Sequence, residues 1–436
     1  MADNTQSIFR SASKFFSGTL LSRSTGLLRD ATMAAVFGVS PEVAAFLLAF
    51  RLSHLARRIF GEGALQTAFV PQFEEIRQKD PEKGAEFFCN LALSLAAMLA
   101  ILIIAAMGAL WFAAPSLALS EGNRQVIRLT VMMLPSLLFI CLYGLNLSLL
   151  QCEKHYFVSS AAPVLFNLVW IATAISTRNV AAMALMINAA CLAQWAATIP
   201  QTVQSLKPYL SKLSIRLNPK TITSFYAPFT LSLIGVAATQ INSAVDPLFA
   251  RFADPEGPAL LWYAIRLQQL PLALIGIALS SAALPPLSRS LEQGNYAAYR
   301  RILFDTMKKN ALLMVPATLA LFFLGRQLIE LVYGNGDFGQ AATEKTVLCL
   351  WGYAAGLLPM TLILIAAPAF YAQKNYRIPM QGSVLSMLSN LALNSIFVLV
   401  LGWGPASVAL STSLSAFFNF GYLMYRLTKS PVLVQA

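Results

Sequence analysis

Residues 49–73 of this chain read AFRLSHLARRIFGEGALQTAFVPQF, and residues 264–288 read AIRLQQLPLALIGIALSSAALPPLS. The two stretches align without gaps at an offset of 215 residues. The shared positions least expected by chance are the pairs Arg51/Arg266, Gly61/Gly276 and Pro71/Pro286. Leu and Ala match easily in apolar sequence, so the repeated Arg, Gly and Pro carry most of the evidence. The chain therefore contains an internal repeat.

The composition is that of a membrane protein. Of the 436 residues, 57% are hydrophobic and only 11% are charged, and the mean hydropathy is +0.64. A helix that crosses ~30 Å of hydrocarbon needs roughly 20 mostly apolar residues, and about twelve such stretches follow one another along the chain. The sequence predicts an all-α integral membrane protein with about 12 transmembrane helices.

The offset of the repeat predicts how these helices are grouped. An offset of about 215 residues spans six predicted helices, and because six is even, both halves have the same orientation in the membrane. We therefore expect two six-helix lobes, residues 1–215 and residues 216–436, related by a parallel pseudo-repeat. In transporters built this way the substrate binds between the halves. The basic stretch 204–220 is the predicted linker.

The positive charge follows the membrane topology. The net charge of +12 could indicate nucleic acid, but Lys and Arg are concentrated in alternate loops between the apolar stretches. This bias is the positive-inside rule, and it predicts a multi-pass protein with both termini in the cytoplasm. We expect no nucleic-acid partner. Arg23 and Arg29 interrupt the first apolar stretch, which is therefore predicted to be retained rather than cleaved as a signal peptide.

Six arginines fall inside stretches that otherwise read as membrane-buried. A cation within the bilayer is costly, so such a residue normally faces a water-filled cavity or a partner and is a candidate for function. Carboxylates in the same stretches are fewer, which leaves a surplus of three positive charges suited to an anion. The arginines are Arg23, Arg29, Arg51, Arg57, Arg58 and Arg266, and the carboxylates are Asp30, Glu62 and Asp246.

Helical spacing sorts these charges. Arg51, Arg58 and Glu62 share one helix face, so Arg58 and Glu62 are predicted to form an ion pair. Arg57 lies about a quarter-turn away and is predicted to be available to a ligand. Adjacent residues do not face each other on a helix, so Asp30 is expected to serve Arg23 or another helix rather than Arg29. The alternative, strongest for Arg23 and Arg58, is that the arginine side chain extends to the membrane–water interface and binds no ligand.

No catalytic, metal or cofactor motif accompanies the arginines. The sequence has no Gly-rich phosphate loop and no GxSxG elbow. His54 and His155 are far apart, and the five cysteines have no CxxC spacing. We therefore expect neither an enzyme nor a metalloprotein, and no cofactor. Pro271 and Gly276, close to Arg266, are the candidate hinge residues.

Four stretches resemble the MurJ/MviN family. They are LSRSTGLLRDATMAAVFG (21–38), the stretch 49–73, WYAIRLQQLPLALIGIALSSAALPPLS (262–288) and FYAQKNYRIP (370–379). The resemblance implies a V-shaped flippase of the multidrug/oligosaccharidyl-lipid/polysaccharide exporter superfamily with a central cationic cavity. Such proteins move lipid II, the undecaprenyl-diphosphate-linked peptidoglycan precursor, across the bacterial cytoplasmic (inner) membrane. It implies lipid II, the bilayer and peptidoglycan-synthesis proteins as partners.

The resemblance also implies roles for single residues. Arg29, Arg57 and Arg266 would face the diphosphate, Arg23 would be a further essential cation, and Asp30 and Glu62 would be supporting carboxylates. The sequence departs from the family pattern at several acidic or polar positions and ends soon after the twelfth predicted helix. Two extra helices that hold the lipid tail in most members are therefore expected to be missing. The departures are Ala44, Ser53-His54, Ile265 and Gln269.

These departures keep other functions open. A flippase for another polyprenyl-diphosphate-linked saccharide would need the same arginines. A degenerate homologue that binds without transporting would act as a partner of the cell-wall machinery. A drug antiporter would need more embedded carboxylates than arginines, and an enzyme acting on a lipid diphosphate would need an acidic cluster such as DDxxD. Neither pattern is present in the sequence.

Overall fold

The computed structural model is predominantly helical over the residues that it describes, with no strand among them. These residues are 5–57, 64–116, 120–153, 155–212, 226, 245–277, 286–373 and 375–434. Five of the described helices are long and apolar enough to cross a membrane, or seven if each of two bent helix pairs counts as one span. The predicted span near residue 235 lies outside the described residues. The count of about 12 stays a prediction.

The helices divide into two compact units, one of residues 1–37 and 45–244 and the other of residues 38–44 and 245–436. The described helices of the first unit are α1 (Thr5–Phe37), α2 (Pro41–Arg57, whose first turn belongs to the second unit), α3 (Ala64–Lys79), α4 (Pro81–Ser116), α5 (Glu121–Met133), α6 (Ser136–Cys152), α7 (Tyr156–Ala161), α8 (Pro163–Thr177), α9 (Val180–Ala196) and α10 (Ile199–Leu206), followed by a 3₁₀ helix (Lys207–Lys212). The predicted lobe boundary at residue 215 lies outside the described residues and stays a prediction.

The second unit has a comparable set of helices. They are α11 (245–253), α12 (Gly257–Pro271), continued by a π-helical segment (Leu272–Ile277), α13 (286–292), α14 (Tyr296–Phe323), α15 (Gly325–Tyr333), α16 (Gln340–Ala354), α17 (Leu357–Ala372), α18 (Arg377–Asn394), continued by a second π-helical segment (Ser395–Val400), α19 (Ala406–Thr428) and α20 (Pro431–Val434).

Local sequence explains several helix ends. Asn179 caps α9, because its side-chain oxygen accepts hydrogen bonds from the backbone N–H groups of Ala181 at 2.8 Å and Ala182 at 3.1 Å. The preceding helix ends at Arg178, whose φ of 47° is left-handed and stops the helical path. Asn295 caps α14 in the same way, through the N–H of Ala298.

The short segment 38–44 is held within the second unit. Gly38 has a φ of +58°, and a Cβ atom added there would lie 2.2 Å from the carbonyl oxygen of Asp337. The guanidinium of Arg251 donates to the carbonyl oxygen of Pro41 at 3.3 Å, and the Tyr263 hydroxyl lies 3.5 Å from the carbonyl oxygen of Gly38. Only glycine combines this backbone angle with this contact.

In the first unit, α1 packs against α7 and α8, and this packing builds the site described below. A Cβ atom on Gly18 would come within 2.0 Å of the Ser160 hydroxyl oxygen, so the glycine lets α1 approach α7 closely. Further along α1, a Cβ atom on Gly26 would lie 3.7 Å from the side-chain nitrogen of Asn167 on α8. Small residues allow the same close approach in other membrane helices.

In the second unit, two glycines four residues apart allow α19 to approach α16 and the turn after it. A Cβ atom on Gly356 would lie 2.6 Å from the Cα atom of Ser413, and one on Gly352 would lie 2.8 Å from the carbonyl oxygen of Ala406. The Ser413 hydroxyl donates to the carbonyl oxygen of Gly352 at 2.5 Å. This is the small-residue spacing that brings membrane helices into backbone contact.

Gly356→Ala should therefore destabilise the protein although Ala is the better helix former. The added methyl group must displace the Ser413 backbone, and such overpacking costs about 1–3 kcal/mol. The matched control is Gly421→Ala on α19, where nothing lies within 4 Å of the added atom and the intrinsic gain in helix propensity should remain. Thermal unfolding in detergent would contradict the assignment if both variants shifted the midpoint in the same direction.

Candidate functional site

Arg29 lies in the core of the first unit and is only 9% exposed. Its Nε and Nη2 atoms both donate to Oδ1 of Asp30, at 3.0 and 2.7 Å. Its Nη1 atom donates to Oδ1 of Asn167 at 3.2 Å. The centre of the guanidinium lies 4.9 Å from the ring centroid of Trp170 and 5.9 Å from that of Phe166. Arg29 is thus neutralised by one carboxylate and enclosed by neutral groups.

The expectation that Arg29 and Asp30 do not pair is wrong. Adjacent Cβ atoms do point about 100° apart on a helix, but the arginine side chain is long enough to fold back along the helix surface. Both side chains are buried, 10% and 3% exposed, and form an ion pair at 2.7 Å. Spacing rules for helix pairs describe exposed side chains, whereas here burial forces the nearest opposite charges together.

Two partners of Arg29, both on α8, are not among the residues predicted from the sequence. Asn167 and Trp170 lie three residues apart on α8, so both face α1, and they are 4% and 2% exposed. The signal that could have found Asn167 is a single amide within the apolar run Val164–Ile171. A polar residue in such a run needs a partner within the protein. Nothing in the sequence indicates that the partner is Arg29.

The other predicted residues of the first unit are less well defined. Arg23 is exposed, and Arg51 is partly buried. Arg57 ends α2, and its side chain lies outside the described part of the chain. Arg58 and Glu62 lie outside the described residues altogether, so their predicted ion pair stays a prediction. In this unit the structure brings together Arg29 and Asp30 from the predicted set.

In the second unit, Arg266 on α12 lies over an aromatic ring. Its guanidinium centre is 4.3 Å from the ring centroid of Trp262, one helical turn earlier. Pro271 follows, and from there the helix changes to a π-helical segment that contains Gly276. A Cβ atom on Gly276 would lie 2.8 Å from Cγ2 of Thr361, so this glycine is a close-packing position. Its role as a hinge stays a prediction.

A buried polar network surrounds Asp246 on α11. This carboxylate is 7% exposed and accepts hydrogen bonds from Asn394 at 2.9 Å and from the Thr412 hydroxyl at 3.0 Å. Asn394 also donates to Oδ1 of Asn390 at 3.0 Å. Side chains of two helices, α18 and α19, thereby satisfy a charge carried by α11 inside the second unit. From the sequence, Asp246 is recognisable only as a counter-charge to the arginines.

Arg77, outside the candidate spans, borders a separate cavity in the first unit. The cavity has a volume of about 300 Å³, and its polar wall includes Arg77, Glu153 and Ser205. Burial alone would lower the pKa of Arg77. The negative charges of Glu153 and Glu74, together with their hydrogen bonds to the guanidinium, outweigh burial, so the pKa of Arg77 is raised. Among the described residues, no group of three or more His, Cys, Asp or Glu side chains could hold a metal ion.

Comparison with known proteins identifies the family. The family model described as lipid II flippase MurJ matches residues 33–436. The probable lipid II flippase MurJ of Chlamydia trachomatis serovar D is 31% identical over 436 residues, which cover 98% of this chain and 80% of the relative. This chain belongs to the lipid II flippase MurJ family. The lipid II flippase MurJ of Burkholderia cenocepacia is 30% identical and covers 97% of this chain and 84% of its own length.

Solved structures agree with this membership. A structure of lipid II flippase MurJ in an inward closed conformation superposes with a TM-score of 0.82 at 26% identity, covering 96% of this chain and 88% of that one. An inward-facing multidrug resistance MATE family transporter superposes with a TM-score of 0.71 at 13% identity, covering 93% of this chain and 95% of that one. The latter likeness shows the fold alone. The predictions of a MurJ-family fold and of a transporter rather than an enzyme are confirmed.

Removing Asp30 should destabilise the protein strongly. Asp30→Ala leaves the buried Arg29 guanidinium without its carboxylate, and breaking a buried pair in this way costs about 3–5 kcal/mol. The control is Asp305→Ala, which removes an exposed pair with Arg301 at 3.7 Å, because exposed pairs contribute about 0–1 kcal/mol. Thermal unfolding of the purified variants measures both effects. Equal midpoints for the two variants would show that the Arg29–Asp30 pair does not stabilise the fold.

Proposed function

We propose that this chain is a flippase that moves lipid II from the inner to the outer leaflet of the bacterial cytoplasmic membrane. The observation that carries the proposal is a buried arginine, Arg29, in a chain that belongs to the MurJ family. The planar guanidinium suits phosphate oxygens, which it can bind in pairs. An undecaprenyl diphosphate head group is an anion of this kind.

The contacts of Arg29 suggest how it would take an anion. Asp30 neutralises the guanidinium at 2.7 Å, which makes the buried cation tolerable when no substrate is bound. A diphosphate is negatively charged, as the Asp30 carboxylate is, and its negative charge is larger. It would therefore compete with Asp30 for the Nε and Nη2 atoms. Substrate binding would exchange one anionic partner for another, so the cation is never left buried and unpaired.

Arg57, Arg266 and Arg23 would complete the binding of the head group. Arg266 lies on the ring of Trp262, which supports one face of its guanidinium. Asp30 and Glu62 would support these arginines as carboxylate partners. Arg51 and Arg58 would take part in ion pairs with the same carboxylates. Transport would proceed by alternating access, with rocking of two lobes and bending near Pro271 and Gly276.

The energy source in this proposal is electrical or chemical rather than ATP, since the sequence has no phosphate-binding loop. With both termini in the cytoplasm, a surplus of cations within the spans would couple reorientation of the empty carrier to the membrane potential. The coupling amounts to about 2.3 kcal/mol per charge moved across 100 mV.

The test of the proposal is rescue of bacteria depleted of their own lipid II flippase. We expect the wild-type chain to restore growth and lipid II translocation, and Arg29→Ala, Arg57→Ala and Arg266→Ala each to abolish both while still inserting into the membrane. A Lys replacement should restore activity only in part, because a point charge cannot bridge two oxygens. Arg301→Ala, an exposed arginine paired with Asp305, is the matched control and should rescue fully.

Two other outcomes have clear meanings. Wild-type rescue that persists in all three alanine variants would reject the arginine site. No rescue by a correctly inserted wild-type chain would favour another polyprenyl-diphosphate-linked saccharide, or a homologue that binds without transport. The departures from the family pattern at Ala44, Ile265 and Gln269 are the reason to keep these two alternatives in the design.

A further inference from the structure

The side-chain amide of Asn167 connects α8 to Arg29 and to two earlier residues of α1. Its Oδ1 atom accepts from Nη1 of Arg29 at 3.2 Å, and its Nδ2 atom donates to the Ser22 carbonyl oxygen at 3.1 Å and to the Thr25 hydroxyl at 3.0 Å. A guanidinium can only donate and a backbone carbonyl can only accept. One orientation of the amide therefore satisfies both, with its oxygen facing Arg29.

Trp170, one turn further along α8, supplies a flat surface under the same guanidinium. Its ring is held from the side by two rings of α2, with centroid distances of 5.3 Å to Phe46 and 5.0 Å to Phe50, both edge-on. The indole is 2% exposed, so it has little room to turn. Packing therefore fixes the ring on which Arg29 lies.

The partners of Arg29 divide into one charged group and a set of neutral groups. Asp30 neutralises the cation but has the same charge as a phosphate, so the two compete for it. Asn167 and Trp170 carry no charge and do not compete with an anion electrostatically. They restrict the side chain, which would otherwise have several rotatable bonds to order on binding.

We infer that Asn167 and Trp170 are positioning residues that hold the Arg29 guanidinium in place while Asp30 gives way to the diphosphate of the substrate. The inference rests on the proposed function, because it assigns to α8 the geometry of a binding residue on α1. Asn167 acts through Arg29 and need not touch the substrate. Its contribution to binding therefore exists only while Arg29 is present.

The experiment measures the dissociation constant of farnesyl diphosphate, a short polyprenyl diphosphate, for the purified full chain in detergent. Asn167→Leu keeps the approximate side-chain volume but removes the acceptor. Hydrogen bonds to charged groups are worth enough to change affinity by roughly 10- to 100-fold, and we expect weakening in this range. Trp170→Leu should weaken binding in the same direction.

The control that separates positioning from folding is a double-mutant cycle. If Asn167 acts through Arg29, Asn167→Leu should add nothing to the loss caused by Arg29→Ala, since coupled residues are not additive. Asn146 provides a matched substitution, because it is also a buried asparagine of the first unit, 7% exposed and bonded to the Thr198 hydroxyl at 2.9 Å. Asn146→Leu should leave the dissociation constant unchanged.

Each result decides a different point. Unchanged binding by Asn167→Leu, or a loss that adds fully to that of Arg29→Ala, would overturn the positioning role and leave the proposed function standing. Equal binding by the wild type and Arg29→Ala would reject the proposed site, and the inference with it. If Asn167→Leu does not fold, Asn167→Asp decides. It retains the shape and adds a second carboxylate beside the guanidinium, so it should weaken binding, and wild-type affinity would contradict the inference.

Discussion

The first unit is organised around a cation that cannot be left alone in an apolar interior. An unpaired guanidinium in low dielectric costs several kcal/mol, so the helices near Arg29 must supply an opposite charge and acceptors. Asp30 provides the charge from the same helix, and Asn167 provides an acceptor from α8. α1 approaches α7 closely at Gly18 and lies against Asn167 of α8 at Gly26, and this packing places the acceptor within reach.

In the second unit a buried charge is stabilised by different partners. Asp246 is a buried anion rather than a cation, and it is satisfied by the amide of Asn394 and the hydroxyl of Thr412. Arg266 lies against Trp262 on its own helix. Each unit thus holds an arginine from the predicted set over a tryptophan ring. A ring supports one face of a cation and carries no charge that would repel an anion, which suits a group that is proposed to bind one.

Close backbone packing and buried hydrogen bonds also hold the helices of the second unit together. Gly352 and Gly356 allow the backbone of α19 to come so close that no side chain would fit at either glycine. The side-chain amide of Asn310 on α14 donates to the hydroxyl of Thr361 on α17 at 2.9 Å. In a bilayer the hydrophobic effect does not drive helices together, so small residues and polar contacts take over that task. The π-helical segments after Pro271 and Asn394 interrupt an otherwise regular framework.

The amino-acid sequence by itself determined the fold class and the inventory of functional groups. Apolar stretches of span length require helices in a membrane, and the arginines are visible because almost any other residue type would be cheaper there. The contact between Trp262 and Arg266 is also open to sequence reasoning, since residues four apart meet on one helix face. The tertiary structure alone decided that Arg29 pairs with its neighbour Asp30 and lies on Trp170, 141 positions away. Spacing along a helix cannot reveal such partners, because they depend on which helix packs beside it and on how far burial bends a long side chain toward the nearest opposite charge.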